Sequence, residues 1–208
     1  MTSRRNLGGV VGATVVVLVS LSSLKPAEAA LCGQRENDVH APYRQVTWKD
    51  FKGKLPKSLG PKAAHIASAI LLKNFDIDSR QDGEDWVARP TKICLYASMN
   101  KLESARRVGH EKPALLAHEQ AHFDITEVFT RTLYGKVKAM VVRDSDPGQA
   151  AAQLRSQVAV LYQETVAEWK AMQSRYDSES LHGTHKRKQK RWLAQVKKLL
   201  ADTPPVGS

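Results

Sequence analysis

The chain has 208 residues, and its 32 Lys and Arg against 21 Asp and Glu give a formal net charge of +11. This excess of cations makes nucleic acid a candidate partner, but no aromatic residues alternate with the cations as stacking on bases requires. Many of the cations crowd into residues 186–198, a pattern typical of a solvated helix face. We therefore expect no nucleic-acid partner.

The first 29 residues have the pattern of an export signal. Arg4 and Arg5 precede an uncharged apolar run over residues 10–24, and the small-x-small sequence that signal peptidase needs follows at residues 27–29. The run is short for a membrane span, which takes about 20 residues. We therefore predict a signal peptide over residues 1–29 that is cleaved and leaves no integral span, with an uncleaved anchor as the alternative.

An exported chain reaches an oxidising compartment, here the periplasm or the medium outside the cell. We expect Cys32 and Cys94, the two cysteines of the sequence, to form one intramolecular disulfide; two free thiols are the alternative. The exported part is long enough for one domain with its own core. We place this domain at residues 30–201, and a disordered tail at residues 202–208.

The N-terminal half of this domain predicts a small sheet. Short runs of β-branched and aromatic residues favour strands, although an alanine-rich stretch in the second run would also suit a helix. The strands are expected at residues 43–51, 67–76 and 85–98. Asp82-Gly83 marks a turn between the last two strands, and Pro90 is expected to interrupt the third.

The C-terminal half predicts helices. Pro113 suits a first helical position, and Asp146 suits the N-cap of a helix that begins at Pro147. Apolar residues then recur at spacings of three and four. The helices are expected at residues 113–140, 147–176 and 185–201. The predicted fold class is therefore α+β, with a small N-terminal sheet packed on the first helix and two further helices after it.

The sequence His-Glu-Gln-Ala-His at residues 118–122 predicts a metal site on the first helix. His118 and His122 are four residues apart, so both imidazoles lie on one helix face and can reach one ion. Glu119 lies beside that ion, where it can take a proton from metal-bound water and pass it to a leaving amine. Two histidines and a carboxylate base suit Zn²⁺ best, which makes Zn²⁺ the expected cofactor.

Core packing is the alternative explanation of the two histidines, because they fall on the apolar stripe of their helix. A single histidine on such a stripe is usually a hydrogen-bonded core residue. Two inward imidazoles both need partners, however, since an unpaired buried polar group costs about 1–3 kcal/mol. A metal supplies a partner to both, and we favour the metal.

A catalytic zinc site normally has a third protein ligand and one open position for water. The candidates downstream are Glu164, Glu168, Asp177, Glu179, His182 and His185. We favour His182, because it directly precedes Gly183 in a turn between two helices, where a side chain can be aimed at a site. Glu179 and Glu168 are the alternatives.

Several segments together resemble a known bacterial family. They are LAHEQAHFD at residues 116–124, YDSESLHG at residues 176–183, TWKDF at residues 47–51, and the later Gln189 and Trp192. The family is catalogued as a domain of unknown function and is described as predicted secreted zinc-dependent proteases. The resemblance covers about residues 40–195, with Ser180 standing where the family pattern has Thr.

The resemblance implies a zincin-like fold, in which a small sheet packs on the metal helix and its edge strand holds an extended peptide. It implies His118, His122 and His182 as ligands and Glu119 as the base. We therefore expect an exported zinc metallopeptidase acting on a peptide or protein substrate, with Tyr176 as a candidate oxyanion donor. The alternatives are a non-catalytic zinc module that binds peptide or cell-wall polymer, and a metal-free interaction protein.

Overall fold

The structure, a computed structural model, describes Cys32 and residues 36–55 and 63–207. The predicted signal peptide over residues 1–29 lies outside the described residues. The described part contains one four-stranded antiparallel sheet and three α-helices, which confirms the α+β class. None of its helices is both long enough and apolar enough to cross a bilayer.

The sheet is built around one long hairpin. β2 (Ala64–Asp82) turns at Gly83, whose φ of +68° suits glycine, into the central strand β3 (Asp85–Arg106). Two three-residue strands, β1 (His40–Pro42) and β4 (Val142–Asp144), pair with β3 on the side opposite β2. No described strand pairs with the outer edge of β2.

Two strand predictions need correction. Residues 43–51 do not form a strand; they contain a 3₁₀ turn at Trp48–Asp50, because the Asp50 carboxylate accepts hydrogen bonds from the Thr47 N–H and hydroxyl. Pro90 does not interrupt β3. Counting from the turn, the Pro90–Ile77 pair is of the non-hydrogen-bonded kind, so the missing N–H costs the hairpin nothing.

The helices follow the predicted pattern. α1 (Pro113–Lys138) begins at its proline, and α2 (Pro147–Ser180) is capped by Asp146, whose side chain accepts from the Gln149 N–H. α2 is four residues longer than predicted. α3 (Lys186–Asp202) follows after a short turn.

α1 is held from three sides, because its side chains enter all three apolar clusters of the described core. Leu133 packs with the hairpin and α2, Phe123 packs with the N-terminal segment, and Ile125 packs with α2 and α3. Burial of each such side chain contributes about 1.5–3 kcal/mol. The helix that carries the two histidines therefore has a fixed position.

Two further residues of the HEQAHFD sequence fasten the N-terminal segment to the back of α1. Gln120 accepts a hydrogen bond from the Val46 N–H at 2.7 Å and donates to Asp124 at 2.7 Å. Tyr43 donates to the same Asp124 oxygen at 3.0 Å. The motif thus has a structural part in addition to its histidines and Glu119.

The Cys32–Cys94 disulfide is formed, as predicted, and ties the N-terminus to β3. It spans 62 residues, a loop for which the chain-entropy relation gives about 4 kcal/mol of stabilisation. At the other terminus, Arg131 donates to the Leu200 and Thr203 carbonyls, and Val206 packs against the hairpin cluster.

Replacing Arg44 with Met should destabilise the protein. Arg44 binds both oxygens of Asp50, which is only 6% exposed, and the variant leaves that carboxylate without its cation. Because Arg44 is partly exposed, we expect a loss of about 2 kcal/mol at neutral pH, below the 3–5 kcal/mol of a fully buried pair. Chemical denaturation measures it, with the exposed Arg80→Met as a control that changes little.

The stability lost on replacing Arg44 with Met should depend on pH. Burial alone would raise the pKa of Asp50, but hydrogen bonds from Arg44 and Thr47 outweigh it and lower that pKa. The stabilisation is therefore complete above the ordinary pKa of 3.8 and disappears as the pH falls further. A gap between wild type and variant that stays constant into acid would contradict this account.

Candidate metal centre

The structure brings three side chains together between α1 and α2. The Nε2 atoms of His118 and His122 are 3.3 Å apart, and the Asp177 Oδ1 atom lies 3.1 Å from the first and 3.0 Å from the second. Among the described residues, these three form a group whose ligand atoms are close enough together to hold a metal ion. Asp177 is one of the candidates that the sequence leaves open for the third ligand, whereas the predicted ligand is His182.

Hydrogen bonds behind the imidazoles fix where their protons lie. Gln173 donates through its amide nitrogen to the His122 carbonyl and to Thr126, so its amide oxygen faces the His122 Nδ1 at 2.5 Å. Gln189 donates to the Tyr176 hydroxyl, and its oxygen faces the His118 Nδ1 at 3.2 Å. In each neutral ring the proton is therefore on Nδ1.

Three lone pairs consequently converge at the centre of this group, two from Nε2 atoms and one from the Asp177 oxygen. Lone pairs about 3 Å apart repel each other unless a proton or a metal cation lies between them. Tetrahedral zinc with bonds of 2.0–2.1 Å holds its ligand atoms about 3.3 Å apart, close to the separations found here. The donor types and their spacing thus fit a zinc ion.

The local electrostatics also favour positive charge. Burial would lower the pKa of His122, but Asp177 and Glu119 outweigh it and raise that pKa. An environment that stabilises an imidazolium also stabilises a bound cation.

Glu119 lies beside the group and faces the same cleft. It is 3% exposed, its Oε2 accepts a hydrogen bond from the Ile66 N–H of β2 at 2.9 Å, and burial raises its pKa. A carboxyl group with a raised pKa, held by a backbone donor next to a cation site, is suited to accept and release a proton.

His182 lies at the rim of the cleft rather than inside the group. Its side chain is 52% exposed, and its Nδ1 is 3.0 Å from the second oxygen of Asp177. Leu181, His182 and Gly183 all have φ between 51° and 79°, so the backbone is strained at the two non-glycine positions. The turn therefore presents His182 to the outer side of Asp177.

Gly183 also makes room for the site. A Cβ atom at this position would lie 3.0 Å from the His118 Cγ and Nδ1, which is too close for an ordinary contact. A side chain here would have to push the imidazole back by a few tenths of an ångström, and the φ of +79° also favours glycine.

The other predicted site residues are not in the group. Glu168 is exposed on α2. Glu179 is bound to Arg175 and to the Trp192 indole. Tyr176 is fully buried and its hydroxyl donates to the His118 carbonyl, so it supports the histidine from behind and does not line the cleft.

A cleft of about 700 Å³ opens over this group. Residues 63–68 of β2 and its approach form one wall, and the C-terminal end of α2 with the turn after it forms the other. Ile66 donates its N–H away from β3, to Glu119, and Ile70 accepts from the Tyr162 hydroxyl. Because backbone direction alternates along a strand, the N–H and C=O of Ser68 also face away from β3.

A zinc ion held by this group would bind more weakly after replacement of Gln173 with Met. The variant keeps the size of the side chain but removes the acceptor that holds the His122 proton on Nδ1. Loss of such an outer partner lowers metal affinity by about 10–100-fold, which competition with a chromophoric chelator measures. Gln163→Met, on the exposed side of the same helix, is the matched control; equal affinities for the two variants would contradict the assignment.

A protein-family model matches part of the chain. Residues 101–183 match the model of a family described as "Bacterial protein of unknown function (DUF922)". The resemblance to a bacterial family of unknown function is thereby confirmed over these residues, which include α1 and the His182 turn. No curated protein and no solved structure matches the chain.

Proposed function

We propose that this chain is a zinc-dependent metallopeptidase with a zincin-like fold, and that it acts in the periplasm or outside the cell. One observation carries the proposal: three lone-pair donors converge in a cleft, with a buried carboxyl group beside them. The disulfide agrees with an oxidising compartment.

His118, His122 and Asp177 would hold the zinc ion. When bound, zinc would supply a Lewis acid that makes a water molecule acidic and polarises a carbonyl group. Glu119 accepts the proton from the attacking water and delivers it to the departing amine nitrogen as the C–N bond breaks. The Ile66 N–H keeps the Glu119 carboxyl group oriented during both transfers.

An extended peptide fits the open edge of β2. Ser68 can offer both backbone groups to a substrate strand, while the Ile66 N–H is bound to Glu119 and the Ile70 carbonyl to Tyr162. Main-chain pairing of this kind gives affinity without strict sequence preference. The walls add apolar contacts through Leu115, Trp169 and Leu181.

His182 has a supporting role in this proposal. Its Nδ1 contacts the second Asp177 oxygen, while the first oxygen faces the two Nε2 atoms of His118 and His122. The family resemblance instead predicts His182 as the third ligand, and the two assignments differ in which variant loses zinc.

Incubation of the zinc-loaded protein with unstructured peptides tests the proposed reaction. We expect hydrolysis that a chelator stops and that added zinc restores. A zinc-loaded protein that binds such peptides but leaves every peptide bond intact would support the non-catalytic zinc module instead.

A further inference from the structure

α3 has two faces of different chemistry. Gln189, Trp192 and Val196 point into the protein, and Gln189 contacts His118 of the metal centre. The outer face is cationic, and we call it the α3 cationic face. Its members, all exposed, are Lys186, Arg187, Lys188, Lys190, Arg191, Lys197 and Lys198. Asp202 is the one acidic residue of the helix.

The surroundings neutralise little of the positive charge of this face. Among the described residues, Lys198 is the one member that forms an ion pair, and its partner is Asp202 of the same helix. The nearby Glu179 carboxylate binds the Arg175 guanidinium and the Trp192 indole, and of this face it interacts electrostatically with Lys188. The α3 cationic face therefore presents its charge to whatever lies outside the protein.

The position of the cations does not serve the stability of the helix. Lys186, Arg187 and Lys188 occupy the first turn of α3, which has no acidic residue. The positive end of the helix dipole lies there, so it favours anions and repels these three side chains. Their placement is explained if an anionic partner compensates the repulsion.

We propose that the α3 cationic face docks on the anionic phospholipid headgroups of a bilayer. Trp192, the aromatic residue of α3, is buried. The α3 cationic face therefore has no aromatic side chain that could stack on nucleic-acid bases. It also has no large apolar side chain to insert, which suits contact with the headgroup layer alone. The predicted export signal takes the chain across a bilayer, so a membrane surface lies within reach of the exported protein.

Docking would hold the metal centre close to the membrane, since the cleft and α3 share the turn at residues 181–184. This inference is independent of the proposed hydrolysis. It holds for a peptidase and for a non-catalytic module alike.

Sedimentation of the full chain with vesicles tests the proposal. We compare phosphatidylcholine vesicles with vesicles that also contain about one-third phosphatidylglycerol, so that neutral vesicles measure any uptake through residues 10–24. We expect preference for the anionic vesicles at low salt. The variant K186E/R187E/K190E should reduce that preference by more than about 100-fold, since each cation near a membrane surface contributes about fivefold.

The matched control is K73E/R89E/K170E, which changes the net charge equally at exposed positions on other elements. It should keep most of the binding. The α3 variant should unfold at the same or a higher temperature, because glutamate suits a first turn; K186Q/R187Q/K190Q repeats the test without new charge. Equal losses in both triple variants, no preference for anionic vesicles, or tighter binding to polyphosphate or duplex DNA than to vesicles would overturn the proposal.

Discussion

Replacing Glu119 with Gln should abolish measurable peptide hydrolysis and leave zinc binding unchanged. The amide can still accept the hydrogen bond from the Ile66 N–H, so the side chain stays in place. It can no longer take a proton from water. Loss of a general base lowers the rate by about 10²–10⁴-fold, which a peptide-cleavage assay with parallel metal analysis measures.

Glu127→Gln is the matched control for this prediction. Glu127 is a similarly buried glutamate on the same helix, and burial raises its pKa as well. Glu127 lies about 12 Å further along the helix axis than Glu119, away from the cleft. There it forms an ion pair with Arg131. Equal rates for the two variants would show that Glu119 is not the base.

Replacing Asp177 with Ala should remove zinc. The variant deletes one of the three donor atoms and, with it, the negative charge between two imidazoles. Loss of a residue that only hydrogen-bonds to a metal ligand lowers metal affinity by roughly 10–100-fold. We expect Asp177→Ala to lower the zinc affinity by more than that. The loss of zinc affinity in His182→Ala should stay within that smaller range, because His182 contacts the other oxygen of Asp177.

Zinc titration of the two variants, with thermal unfolding as the folding control, decides between these roles. Retention of tight zinc binding by Asp177→Ala together with its loss in His182→Ala would make His182 the ligand. The assignment of Asp177 would then be wrong.

The local parts of the fold could be predicted from the sequence because they depend on neighbouring residues. The α1 histidines follow from helical spacing alone, and the start of α2 follows from the Asp146 cap. The strand predicted at residues 43–51 failed because strand propensity was outweighed by hydrogen bonds to Asp50, one of them from Arg44 six residues earlier.

The rest of the site depends on how α2 and α3 cross α1, which local patterns do not reveal. Gln173 and Asp177 lie four and eight residues after Trp169, so the inward stripe of α2 did contain a signal. A glutamine on an inward stripe needs a polar partner, and Gln173 and Gln189 both find one in a histidine. His182 was favoured because turns present side chains, yet this turn presents it to Asp177.

Elemental analysis of the purified protein tests the central claim most directly. We expect one zinc ion per chain in the wild type, and no bound metal in a variant in which both His118 and His122 are replaced by Ala. A folded wild-type protein that takes up no divalent ion from a zinc-containing buffer, or a double variant that still holds its zinc, would contradict the account.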